Sequence, residues 1–133
     1  RFPGNCDRCQ HYEMSVPGIA LNKSIYTPIG TGGPDKPQVN QTYVNISYNF
    51  MTPVDEKNTQ YIWFQHRNTD PNDKAISETM NAGAVMAFNE DKEVLEAVQK
   101  GMDAMHTPHI DLGLDLGAKT FRMKLQKMID AEG

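Results

Sequence analysis

Hydrophobic and polar residues follow two periods along this chain, first a period of two and then a helical period of about 3.6 residues. Alternation with aromatic and β-branched residues predicts four strands, over residues 11–16, 18–27, 42–51 and 59–67. Glycine and proline predict a loop over residues 28–41. Helical spacing then predicts a long helix over residues 73–105 and a last helix over residues 117–131. Strands followed by helices indicate an α+β fold with an antiparallel sheet.

Asp91 interrupts the apolar stripe of the predicted long helix. The apolar residues that share this stripe are Ile76, Met80, Ala84, Ala87, Val94, Leu95, Val98, Met102 and Met105. Asp91 lies inside the stripe, between Ala87 and Val94, and a carboxylate on a buried face is costly unless it is paired or binds a metal. Two interpretations remain open: a hydrogen-bonded or hydrated Asp near the helix edge, or a metal ligand or catalytic carboxylate. Either Asp70 or Asn72 is expected to cap the start of this helix.

Size, charge and hydropathy exclude several classes of function. With 133 residues the chain is expected to form one domain, and its 38 % of hydrophobic residues can form a modest core. The formal net charge of −4 argues against nucleic-acid binding. No apolar run is long enough to cross a membrane.

Cysteine and histidine residues do not form a recognisable metal or redox motif. Cys6 and Cys9 make a Cys-x-x-Cys pair near His11, but a zinc site needs four ligands and there is no second cysteine pair. No βαβ pattern surrounds the pair, so a thioredoxin-like function is also excluded. The two unpaired thiols fit a reducing cytoplasm. All four histidines are interpreted as surface or structural residues: His11, His66, His106 and His109.

Small and polar residues line one side of two predicted strands. The earlier strand carries Gly18, Ala20, Asn22 and Ser24 on one side, and the later strand carries Asn45, Ser47 and Asn49. Such sides fit the walls of a ligand cavity facing the long helix, and they also fit an ordinary solvent-facing surface.

Three segments of the chain match motifs of one known family. The segment from Phe88 to Ala97 contains Phe88, Glu90-Asp91 and Glu96. It resembles the stretch F-x-E-D-x-x-x-x-E in the large subunits of Rieske-type aromatic-ring oxygenases, in particular the branch of vanillate O-demethylase and dicamba monooxygenase. The segment from Thr52 to Phe64 resembles their T-P-x-x-x-x-x-T-x-Y-F strand pair. Asp115 with Phe121-Arg122 and Leu125 resembles their terminal helix, and the three segments occur in the same order.

The resemblance implies a fold and a set of site residues. The fold would be a curved antiparallel sheet gripping a long C-terminal helix, the helix-grip or START-like arrangement. Asp91 would be the carboxylate ligand of a mononuclear non-haem iron. Asn22 and Asn49 match positions of substrate contacts in relatives, and Ser24 and Ser47 would line the same cavity.

The resemblance also implies cofactors and partners. The iron would be Fe(II), completed by two histidines outside this chain, and electrons would reach it from a [2Fe-2S] Rieske cluster. A separate reductase or ferredoxin component would supply these electrons from NADH. With O2, the enzyme would hydroxylate or O-demethylate an aromatic acid or aryl ether, in the cytoplasm and as a homotrimer.

Two motifs of the full large subunit do not occur in this chain: the Cys-x-His and Cys-x-x-His cluster ligands, and the helix with two iron histidines. Residues 1–133 are therefore expected to be the C-terminal part of the catalytic domain, with the Rieske domain and the two-histidine helix elsewhere. Such a fragment would be inactive alone. It should expose apolar surface around Tyr43, Tyr61, Trp63 and the methionine-rich helix faces.

An alternative of another class is a non-catalytic, START-like module that binds a small ligand. It would use the same sheet, helix and cavity, and Asp91 would then be a hydrogen-bonding residue. Two histidines with H-x-x-x-x-H spacing in upstream sequence would favour the oxygenase over this module.

Overall fold

The computed structural model describes residues 4–32, 43–105 and 110–133. Its elements, in chain order, are β1 (Cys6–Ser15), β2 (Ile19–Pro28), β3 (Tyr43–Pro53), β4 (Thr59–Arg67), α1 (Lys74–Ala104), a short 3-10 turn (Gly113–Asp115) and α2 (Leu116–Ala131). The predicted α+β class is confirmed, since these are the elements of a helix-grip fold in the expected order. They fall into two compact units, one with the sheet and α2 and the other with α1.

The strands of the first unit form one antiparallel sheet in the order β1-β2-β3-β4. A short turn joins Ser15 to its partner Ile19, and the Val16–Pro17 peptide bond in this turn is cis. Next to the turn, Gly18 approaches β3 closely, because the amide of Met51 donates a 2.7 Å hydrogen bond to the Gly18 carbonyl oxygen. This contact aligns the start of the β2–β3 ladder, in which Ile19 faces Phe50.

Alternation along the strands gives the sheet two chemically different faces. The apolar face carries Leu21, Ile25, Val44, Ile46, Tyr48, Phe50, Ile62 and Phe64. Aromatic rings stack across β3 and β4 on this face, with centroids 5.0 Å apart for Tyr48 and Phe64 and 5.6 Å apart for Phe50 and Phe64. The opposite side, here called the polar face, carries Ala20, Asn22, Ser24, Asn45, Ser47 and Asn49.

The N-cap of helix α1 lies one residue after Asn72 and three residues after Asp70, the two caps expected from the sequence. Asp73 is the N-cap, with its carboxylate accepting a 3.1 Å hydrogen bond from the Ile76 amide. Asp70 cannot take this role because its φ of 42° lies in the left-handed region, whereas an N-cap has extended backbone. The helix ends at Ala104. No helix in the described part of the chain is long and apolar enough to cross a membrane.

The first strand begins five residues earlier than its polar sequence predicts. Residues 6–10 lack apolar alternation, yet they pair with β2 from Cys6 opposite Pro28 onward. Backbone hydrogen bonds to β2 therefore extend the strand over residues whose side chains do not alternate between apolar and polar. The end of α2 agrees with the prediction, and its start differs by one residue. The predicted loop lies outside the described residues from residue 33 to its end.

Apolar side chains are widely exposed on both helices. Exposed methionines are Met86, Met102, Met105, Met123 and Met128. Tyr61 is also exposed, as expected, whereas Tyr43 and Trp63 are half-buried. Exposed apolar surface is thus found on the methionine-rich faces and at Tyr61, whereas Tyr43 and Trp63 are only partly exposed.

Candidate functional site

Asp91 lies on α1, but its carboxylate is not buried. The covered positions of α1 recur every fourth residue, at Ile76, Met80, Ala84 and Phe88, and only Ala84 is fully buried. Asp91 follows Phe88 by three residues and so extends this stripe, yet it is exposed.

The second half of the predicted apolar stripe is exposed as well. Its exposed residues are Val94, Leu95, Val98, Met102 and Met105. Ala87, predicted to share the buried stripe, is exposed, and the adjacent Phe88 is half-buried instead. The apolar stripe is therefore not buried at Asp91, and both interpretations of this residue, a hydrated Asp and a metal ligand, stay open. The cost of burying a carboxylate therefore gives no reason to assign Asp91 a function, and only the sequence motif points to this residue.

The sheet brings the four proposed substrate residues to one face. In the β2–β3 register, Asn22 lies opposite Ser47, Ala20 lies opposite Asn49, and Ser24 lies opposite Asn45. Since side chains two residues apart on a strand point the same way, all of these belong to the polar face. Asn22 and Ser47 are half-buried, and Ser24 is buried with 6 % of its surface exposed.

Two of the four residues are held by hydrogen bonds inside the sheet. Asn49 donates from Nδ2 to the Ala20 carbonyl oxygen at 3.3 Å and accepts at Oδ1 from the Tyr61 hydroxyl at 2.6 Å. Ser24 Oγ accepts from Gln10 Nε2 at 3.4 Å. Both residues therefore have internal partners that fix their side chains.

The other two residues carry buried oxygen atoms without partners. Asn22 Oδ1 and Ser47 Oγ are buried and make no hydrogen bond within the described part of the chain. The same holds for Asn45 Oδ1 on the same face. Asn45 was not among the predicted site residues, although the alternation that placed Ser47 and Asn49 on this face also places Asn45 there. Its missing hydrogen bond depends on tertiary packing and leaves no signal in the sequence.

The Cys-x-x-Cys pair cannot act as one site in this fold. Cys6 and Cys9 lie three positions apart on β1, so their side chains point to opposite faces of the sheet. Both thiols are free, and Cys9 Sγ lies 3.5 Å from His11 Nε2 on its own face. This geometry agrees with the expectation that the spacing of Cys6 and Cys9 is not a metal or redox motif.

His66 has a structural environment. Its ring packs against Tyr48 and Phe64, with centroid distances of 5.3 and 5.1 Å. His106 and His109 lie outside the described residues. Within residues 4–32, 43–105 and 110–133, there is no group of three or more His, Cys, Asp or Glu side chains that could hold a metal ion.

Comparison with known proteins gives a family for this chain. Residues 1–131 match the model of the vanillate O-demethylase oxygenase C-terminal domain. The toluene-4-sulfonate monooxygenase system iron-sulfur subunit of Comamonas testosteroni is 31% identical over 133 residues, which are 99% of this chain and 38% of that subunit. The vanillate O-demethylase oxygenase subunit of Pseudomonas sp. (strain ATCC 19151) is 28% identical over 127 residues, 95% of this chain and 38% of that subunit.

The chain thus spans less than two fifths of the length of the curated relatives it matches. No solved structure gives a significant match. The family model, however, covers nearly every residue. The chain belongs to the family of vanillate O-demethylase oxygenase C-terminal domains.

Proposed function

We propose that this chain is the C-terminal part of the catalytic domain of a Rieske-type oxygenase, which hydroxylates or O-demethylates an aromatic acid or aryl ether. The observation that carries the proposal is the family match over residues 1–131. The names of two relatives support the substrate class, since one is a toluene-4-sulfonate monooxygenase subunit and the other a vanillate O-demethylase subunit.

Asp91 is the proposed carboxylate ligand of a mononuclear non-haem Fe(II). Its carboxylate is exposed on a regular helix, so a metal held by other parts of the subunit can reach it without unfolding α1. The described residues offer no group of three metal-binding side chains, which fits a chain that supplies one ligand of a 2-His-1-carboxylate triad. The two histidines then come from outside this chain. Such a triad leaves coordination positions open for oxygen activation.

Helix α1 holds the backbone of Asp91 in place, and the Asp91 carboxylate supplies a negative charge. Main-chain hydrogen bonds of α1 fix the Asp91 backbone, so the side chain has only its own torsions to adjust. Its negative charge offsets part of the charge of a divalent cation. The neighbouring Lys92 ammonium lies 3.7 Å from a Glu96 carboxylate oxygen, an exposed pair that leaves Lys92 directed along the helix to Glu96.

The polar face of the sheet is the proposed substrate wall. Asn22, Ser24, Ser47 and Asn49 share this face, and their amide and hydroxyl groups can orient an aromatic ring by its polar substituents. The internal hydrogen bonds of Ser24 and Asn49 make them positioning residues for the wall. Asn22 and Ser47 are the members whose buried oxygen atoms have no hydrogen-bond partner in the described part of the chain.

The remaining cofactors and partners follow from the family. The proposed complete enzyme carries a [2Fe-2S] Rieske cluster, takes electrons from NADH through a reductase or ferredoxin component, and uses O2. We also propose a cytoplasmic homotrimer. The exposed methionines of α1 and α2 support subunit contacts, because monomeric proteins rarely expose large apolar patches. The two free thiols support a reducing compartment.

Substitution of Asp91 by Ala in the intact polypeptide that carries this chain tests the iron proposal. We expect turnover to be abolished and bound iron to fall at least about tenfold, the scale of effects known for weakened metal sites. Stability should change by less than about 0.5 kcal/mol because the side chain is exposed. Glu93→Ala is the matched control, since Glu93 is an exposed acid of α1 at a position that the family motif leaves unspecified.

Iron content by elemental analysis, product formation and urea unfolding are measured on the same samples. Wild-type iron and turnover in the Asp91 variant would contradict the ligand assignment. If the intact wild-type protein binds aromatic ligands but neither iron nor O2, the non-catalytic binding module is the correct function.

A further inference from the structure

Three partnerless oxygen atoms form one cluster at the centre of the polar face. They are Asn22 Oδ1, Asn45 Oδ1 and Ser47 Oγ, here called the oxygen cluster. Asn22 and Ser47 are directly opposite each other on β2 and β3, and Asn45 is two residues from Ser47 on the same face. Cross-strand and next-nearest neighbours on one face lie within about 5–8 Å of each other, so one small ligand can touch all three side chains.

The residues around the cluster have the hydrogen bonds that the cluster lacks. Ser24 and Asn49 flank it on the same face and both use internal partners. Arg67 lies opposite Asn45, but its Nε donates to the Thr69 carbonyl oxygen at 2.8 Å and its Nη2 to the Asp70 carbonyl oxygen at 2.9 Å. On the polar face, the missing bonds are therefore concentrated at the oxygen cluster. Another buried oxygen of the described residues without a partner, Thr27 Oγ1, belongs to the opposite face.

Buried oxygen atoms without donors are rare in native proteins, and an adjacent group of them calls for a missing partner. Amide oxygens only accept hydrogen bonds, whereas a serine hydroxyl both accepts and donates. The partner must therefore carry an N–H or O–H donor. A hydroxyl group fits best, because it can donate to an amide oxygen and accept from Ser47 at the same time.

We propose that the oxygen cluster binds a neutral hydroxyl group on the aromatic ring of the ligand, and that Asn45 and Ser47 determine specificity for it. The inference deepens the proposed function, on which it rests for the ligand being an aromatic substrate. A methyl ether at the same ring position has no proton to donate and leaves the amide oxygens unpaired. An ionised hydroxyl likewise has no proton to donate to the amide oxygens.

The test compares the binding of phenol and anisole to the intact polypeptide by NMR titration without O2. These probes share the ring and differ in the donor proton. Wild type should bind phenol at least about tenfold more tightly, the effect of one well-formed hydrogen bond in a buried site. Ser47→Ala and Asn45→Leu should each reduce this preference to about twofold or less, because each removes one cluster atom.

Asn81→Ala is the matched control, since Asn81 is an exposed asparagine on α1, and it should keep the wild-type preference. The ratio of the two affinities is the readout, so a general loss of stability changes both terms and does not mimic the result. Equal binding of phenol and anisole by wild type, tighter binding of anisole, or an unchanged ratio in both cluster variants would each overturn the inference.

The same samples separate this inference from the proposed function. If the intact protein shows no oxygenase turnover but its phenol preference depends on Asn45 and Ser47, the proposed function fails and the inference stands. If it turns over an aromatic substrate while the cluster variants keep the wild-type ratio, only the inference fails.

Discussion

Replacing Gly18 by Ala tests how β2 and β3 are held together. A Cβ atom built at Gly18 would overlap the Met51 carbonyl oxygen and lie 3.1 Å from the Met51 carbonyl carbon. These are backbone atoms of β3, so a rotamer change cannot relieve the overlap. The strands must separate, and the 2.7 Å hydrogen bond from the Met51 amide to the Gly18 carbonyl oxygen is lost or stretched.

The expected cost combines two effects. Forcing an extra carbon into a packed contact costs about 1–3 kcal/mol. Loss of the backbone hydrogen bond costs about 1 kcal/mol more. Gly18→Ala should therefore lower the free energy of unfolding by about 2–4 kcal/mol, the sum of these effects. Binding of phenol should weaken too, because the contact lies beside the ladder that sets Asn22 opposite Ser47.

Urea unfolding of the intact polypeptide, followed by circular dichroism, measures this change. Gly83→Ala is the control, since a Cβ atom at Gly83 in the middle of α1 meets nothing within 4 Å. That variant should be more stable by about 0.5–1 kcal/mol, the usual gain from alanine in a helix interior. A loss below about 0.5 kcal/mol in Gly18→Ala, the size of ordinary surface effects, would refute the proposed clash.

Two further predictions concern the turn after β3 and the start of α1. Hydrogen bonds from the Lys57 amide and from the side chain and amide of Asn58 lower the pKa of Asp55 below its ordinary value. The contribution of Asp55 to the stability of the folded state is therefore complete above the pKa of the unfolded chain, about 3.9. This contribution is lost as the pH falls through the lower pKa that Asp55 has in the folded state. Asp55→Asn should reduce the slope of the free energy of unfolding against pH in the acid range. Glu56→Gln is the control and should leave the contribution of Asp55 to that slope unchanged. Equal curves for wild type and Asp55→Asn would contradict this prediction. Asp73→Ala should destabilise by about 0.5–2 kcal/mol in urea unfolding, and Asp73→Asn should not, because asparagine still caps the helix; equal stability of both variants would exclude a capping role.

Much of the candidate site was predictable from side-chain pattern. Alternation over residues 42–51 put Ser47 and Asn49 on one face, and the register confirms that they share it with Asn22 and Ser24. Pattern could not separate residues with internal partners from residues without them. Asn49 and Asn45 occupy equivalent positions in the alternation, yet only Asn49 lies within reach of a Tyr61 hydroxyl. Hydrogen bonds across strands depend on the pairing register, which a single strand does not encode.

The environment of Asp91 shows the opposite limit. Helical period correctly placed Asp91 in line with the covered positions of α1, but it could not tell whether anything covers that stripe. A residue is buried only when a second surface packs on it, whereas helical periodicity identifies only the apolar face of the helix itself. The assignment of Asp91 as an iron ligand therefore remains a prediction that the substitution experiment decides.

By itself, the sequence determined the order and type of the elements, the two faces of the sheet and the family motif around Asp91, because these depend on the local alternation and spacing of residues. Only the tertiary structure decided that β1 begins at Cys6, that Asp73 caps α1, and that three oxygen atoms on the polar face lack partners. The length of a strand and the hydrogen bonds of a side chain depend on donors and acceptors in another segment of the chain. These groups come within reach only when the chain has folded, so the local sequence does not determine them.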